Sequence, residues 1–155
     1  MRRPAAVAVA VTAAACLAAC GSTHSVASDV RSWASVNQVG TALGDLVTDS
    51  QREVAAIDGH ASVSQVRTVC QESLTDEMGV YSSILPSPDD RLTNLLTNAI
   101  DGFIHLADQC VGAPGDRAVL NMVVHERFLA IGVLHEAVLR EEAIAGQALH
   151  VAGPT

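Results

Sequence analysis

Apolar residues recur three or four positions apart along most of this chain, and nowhere alternate with a period of two. That is the pattern of amphipathic helices, not strands. A first helix is expected over residues 29–57, with Ser28 as its N-cap. Projected at about 100° per residue, Trp33, Val36, Val39, Leu43, Leu46, Val47, Val54 and Ile57 share one face. Arg31, Gln38, Asp45, Asp49, Arg52 and Glu53 fall opposite. Asp58-Gly59 ends the helix, the glycine supplying a positive φ.

A second helix is expected over residues 61–84, striped by Val63, Val66, Cys70, Leu74, Met78, Tyr81 and Leu85. Gln65, Thr68, Glu72, Thr75 and Asp76 face away. Pro86-Ser87-Pro88 stops it, because proline lacks the backbone donor and disfavours helix in the residue before it. Asp89 or Asp90 caps a third helix that ends near Val111. Its stripe is Leu92, Leu95, Leu96, Ala99, Ile100, Phe103, Leu106, Ala107 and Cys110. Gly112-Ala113-Pro114-Gly115 turns the chain into a long fourth helix over residues 116–150.

Four helices with short connections and no strand predict an all-α fold, an antiparallel four-helix bundle built of two helical hairpins. Less regular packing of the two hairpins is the alternative. The bundle domain spans residues 29–150, followed by a disordered tail over 151–155.

The N-terminus departs from this pattern. Arg2 and Arg3 precede an apolar run over residues 5–19 built almost wholly of Ala and Val. It has the length of a signal-peptide core and falls short of the roughly 20 residues that span a bilayer. It closes on Leu17-Ala18-Ala19-Cys20. These residues resemble the lipobox of bacterial lipoproteins, and with the composition the chain is similar to small actinobacterial lipoproteins of unknown function. The resemblance implies a signal peptide over 1–19, diacylglyceryl transfer to the Cys20 thiol, and acylation of the new amino terminus. A lipid-anchored protein on the extracytoplasmic side of the cell membrane follows. Residues 20–28 are then the lipidated Cys and a flexible tether. Pro4 after the arginine pair favours general secretion over the twin-arginine route.

Charge narrows the partners. The chain has nine Arg, no Lys and seventeen acids. Losing Arg2 and Arg3 would leave a net charge of about −10, which offers no electrostatic footprint for nucleic acid or anionic lipid. Cleavage leaves about 136 residues, one domain that buries roughly two-thirds of its unfolded surface. The most apolar later stretch, residues 119–139, is interrupted by His125, Glu126, Arg127, His135 and Glu136, which argues against a second membrane segment.

Of four cysteines, Cys16 leaves with the signal and Cys20 takes the lipid. Cys70 and Cys110 remain as an even pair in an oxidising compartment. Both fall in apolar stripes and are symmetric about the proline turn, so a disulfide is expected. Asp101, His105 and Asp108, with His125 across the next turn, are the weak candidates for a metal site; their projection puts them towards solvent. His125-Glu126 and His135-Glu136 lack the second His of a zinc-protease helix, and Glu-x-x-His pairs are absent. No Cys-x-x-Cys-His supports haem, and no Gly-x-Ser-x-Gly supports a hydrolase. No catalytic residue and no cofactor is assigned.

The fourth helix is apolar beyond one seam. Phe128, Leu129 and Val133 spread to other sides, so it is either central or presents a binding face. The expectation is a non-enzymatic binding or interaction module for an envelope protein or an apolar small molecule; the alternative is metal or haem handling.

Overall fold

The computed structural model describes residues 25–146, and within them the fold is all-α. Five helices follow in order: α1 (Val26–Val36), α2 (Val39–Asp58), α3 (Val63–Ile84), α4 (Asp90–Gly112) and α5 (Arg117–Ala145). The lipobox with Cys20, and the tail over 151–155, lie outside the described residues.

α2 to α5 form the antiparallel bundle. Each packs on the next, and α5 returns to α2 to close the ring. The termini confirm the directions. Arg117, at the start of α5, donates to the Ile57 carbonyl at the end of α2 (3.1 Å), and Arg140, near the end of α5, pairs with Asp89 ahead of α4 (3.0 Å). The Cys70–Cys110 disulfide joins α3 to α4 as expected, with the Cα atoms 5.9 Å apart.

The expected first helix is in fact two. Asn37 turns its amide back onto the Trp33 carbonyl (3.0 Å), and Gln38 adopts φ 50°, so the backbone leaves the helix between Val36 and Val39. An asparagine that bonds its own preceding turn competes with helix propagation. The helix also begins earlier, at Val26, with the Ser25 hydroxyl accepting from Ser28 N, so residues 26–28 belong to α1 and not to a tether. The bend lays α1 against α5 and α2. There Trp33 Nε1 donates to the Ile84 carbonyl ending α3 (2.9 Å), and an Arg31 Nη donates to the Ala145 carbonyl ending α5 (2.8 Å). α1 thus satisfies two helix C-termini that lack intrahelical donors.

The other caps follow the sequence closely. Ser62 and Gln65 make a reciprocal capping box at α3. Asp89 accepts from Leu92 N (2.8 Å), and Asp116 accepts from Ala118 N (2.9 Å). At the end of α2 the positive φ belongs to His60 (55°), not to Gly59. Gly59 is needed for another reason: a Cβ there would lie 2.7 Å from the Ala55 carbonyl oxygen.

The buried rows step by alternating threes and fours, the spacing of a coiled-coil seam. α4 buries Leu92, Leu96, Ala99, Phe103, Leu106 and Cys110, as its stripe predicts. α5 buries Leu120, Val123, Arg127, Ala130, Leu134, Ala137 and Glu141. By length and mean hydropathy α5 is nonetheless long and apolar enough to cross a membrane, correcting the expectation that its polar residues rule this out. The reason is compositional: Ala, Val, Leu and Ile are dense enough to outweigh a few charges. Core helices of soluble bundles meet the same test, and α5 places its inner row in the shared core.

Candidate functional site

Three of the buried rows, those of α2, α3 and α5, carry charge where apolar residues are expected. α2 buries Ser50 and Glu53 between Leu46 and Ile57, and α3 buries Ser73 and Glu77 between Cys70 and Ile84. Arg127 reaches them from α5. Glu53 and Glu77 are fully buried and Arg127 is 1% exposed. Arg127 Nη1 donates to Glu77 Oε1 at 2.9 Å, while Nη2 is in ion-pair contact with Glu53 Oε2. The guanidinium carbon stands 5.6 Å from the centre of the Phe103 ring of α4, a cation–π distance. All four bundle helices therefore meet at this ionic layer.

Burial disfavours the charged form of each carboxyl and pushes both Glu53 and Glu77 up to about 7. Arg127 opposes the rise in both, and the Ser73 hydroxyl opposes it at Glu53. Glu77 Oε2 and Arg127 Nε have no hydrogen-bond partner among the described residues. Beside the layer Asp49 pairs with Arg52 at 3.0 Å; burial raises its pKa more than Arg52 lowers it.

Glu53 was expected on the polar face of its helix, and that placement is wrong. Neither Glu77 nor Arg127 is marked as a candidate by residue type. The signal that finds all three is spacing. They sit in register with the buried rows of their own helices: Glu53 four positions before Ile57, Glu77 seven after Cys70, and Arg127 four after Val123 and three before Ala130. A charge on a seam position of each of three helices has no solvent to face.

The second feature is an open groove of about 380 Å³ between α4 and α5. Small side chains let these helices approach: a Cβ on Gly102 would lie 3.6 Å from the Cβ of Ala130. Leu106 and Ala130 border the groove from the core, and Met122, Leu129 and Val133 form its α5 wall. Asn98, His105, Gln109 and Glu126 supply its polar rim. The Gln109 amide donates to His105 Nε2 at 2.7 Å. Leu129 is 57% exposed and Phe128 63%, so α5 is not central; its Leu129 side faces outward.

The weak metal candidates are not gathered. Asp101, His105 and Asp108 lie exposed on the outer side of α4, and His125 is exposed on α5. No group of three or more His, Cys, Asp or Glu side chains among the described residues is arranged to hold a metal ion. A larger groove of about 670 Å³, between α2 and α3 below the bend, is rimmed by Asp45, Asp49 and Asp76.

The architecture is thus an antiparallel helical bundle with a buried ionic layer, a disulfide and an open α4–α5 groove. No family model, no curated protein and no solved structure matches the chain.

Proposed function

We propose that this protein is a non-enzymatic binding module of the cell envelope, anchored through lipid on Cys20 and engaging a protein partner or an apolar small molecule along the α4–α5 groove. One observation carries the binding part: Leu129, a large aliphatic side chain, is more than half exposed on the wall of that groove. Met122, two turns earlier on the same wall, extends the apolar surface, and Phe128, next to Leu129 in the chain, is exposed as well. Such contiguous exposure is costly in water and is the usual mark of a surface that another molecule covers. The anchor rests on the charged start, apolar run and lipobox of residues 1–20.

The test couples the two parts. Native mass spectrometry of full-length protein from mild detergent is expected to show a lipidated N-terminal Cys20. It should also show either a retained apolar adduct or, with a photo-crosslinker at position 129 in cells, a covalent partner. Leu129→Gln should abolish adduct or cross-linking from the neighbouring position 133 while leaving the melting temperature in place. An unmodified Cys20 overturns the anchor; absence of both adduct and cross-link overturns the binding role.

A further inference from the structure

The charges of the ionic layer do not cancel. Glu53 of α2 and Glu77 of α3 supply two carboxyls, and Arg127 of α5 supplies one guanidinium. The groups around them do not correct the imbalance. From α2 comes Asp49, of the same sign and engaged with Arg52; from α3 come the neutral Ser73 and, near Asp49, Asp76. α4 presents only the Phe103 ring, and α5 nothing ionisable beyond Arg127 itself. Full ionisation would therefore hold an uncompensated negative charge among side chains that are at most 1% exposed. A buried charge without a partner is far costlier than a neutral acid, so the economical state carries one proton between the two carboxyls.

We infer that the Glu53–Arg127–Glu77 layer is a proton-linked latch: the folded bundle holds one proton there, is firmest in mildly acidic surroundings, and loosens as that proton is lost. The direction agrees with burial pushing both carboxyls up to about 7 from an ordinary value of 4.5. The sign follows from linkage. Between those values the folded state keeps a proton that the unfolded chain has released, so the folding constant falls as pH rises, by about tenfold per pH unit for one proton. Below the ordinary value both states are protonated and this contribution is complete; above about 7 both have lost the proton and the fall levels off.

Urea unfolding of the full chain, wild type and Glu77→Gln, at a series of pH values from about 5 to about 8 tests the latch. Glutamine keeps the shape and leaves Glu53 and Arg127 as a balanced pair. The wild-type folding constant is expected to fall about fortyfold more than that of Glu77→Gln between about pH 5 and pH 7. Ionisable groups away from the layer are common to both proteins and drop out of the difference. Equal pH dependence overturns the inference. Should Glu77→Gln not fold, infrared difference spectra of the native wild type decide. The carbonyl band of a buried protonated carboxylic acid is expected near pH 6 and absent near pH 8.5, and its absence at the lower pH overturns the latch.

Discussion

Arg127 donates to Glu77 across 2.9 Å, although fifty residues separate them and neither side chain is more than 1% exposed. The same guanidinium holds Glu53, so one cation organises three of the four bundle helices from inside. Removing one member of such a cluster strands the others without water.

Arg127→Met is therefore expected to cost about 3–5 kcal/mol at neutral pH, the usual penalty for breaking a buried ion pair. Replacing all three residues together, Glu53→Leu, Glu77→Leu and Arg127→Met, should recover the loss and can exceed wild type by ~1–4 kcal/mol. Denaturant unfolding of both proteins measures this. A single variant as stable as wild type would show that the layer is not held by charge.

Asp89 works in the opposite sense. Its carboxyl caps α4 and receives Arg140, and these bonds, Arg140 foremost, hold its pKa below the ordinary 3.8. A lowered value means that its contribution is present above 3.8 and is lost as pH falls further. Asp89→Ala is expected to cost about 1 kcal/mol at neutral pH, as for a lost N-cap, and to flatten the acid limb of the stability curve below about pH 4. A variant whose acid limb matches wild type would contradict this.

Much of the fold was legible. The α4 stripe, the proline turn and the Asp89 cap are local signals, and each survives because local preference and tertiary packing agree there; the cap expected at Ser28 falls three residues earlier, at Ser25. The pairing of Cys70 with Cys110 follows from two stripes facing one core. What escaped was whatever depends on a distant partner. Glu53 reads as a surface residue until Arg127 is placed beside it, and Arg127 reads the same way until both glutamates are. A 3.6-residue projection adds to the error, because it drifts about 20° per heptad from the 3.5-residue seam these helices keep. Met78 and Tyr81 drift outward for that reason, and Ser73 and Glu77 take the inner row of α3 instead. The break after Val36 was missed because Asn37 and Gln38 look helical enough until the Asn37 amide finds the Trp33 carbonyl.

The groove makes a paired prediction. Leu129 is exposed and Leu134, five residues on, is only 3% exposed. Leu129→Gln should stay within about 0.5 kcal/mol of wild type, as surface substitutions do. Leu134→Gln buries an unpartnered amide and loses packing, at a cost of about 2–5 kcal/mol. Thermal melts of the two variants side by side check the assignment of inner and outer faces. Equal losses would mean that Leu129 is core.

The disulfide closes a loop of 40 residues. In the chain-entropy description that constrains the unfolded chain by roughly 4 kcal/mol. Cys70→Ser with Cys110→Ser should lower stability by about that amount without changing the helical content seen by circular dichroism. Two free thiols in the denatured, unreduced wild type would refute the bond itself.

The chain leaves the bundle through α1, whose grip on α3 and α5 includes Trp33 on Ile84 and Arg31 on Ala145. Mechanically this makes α1 a sacrificial strap. A pull on the chain ahead of Ser25 loads those two bonds, and the bend at Asn37 and Gln38 lets α1 peel away before tension enters α2. The two bonds carry such a pull to the C-terminal ends of α3 and α5, and the disulfide ties α3 in turn to α4.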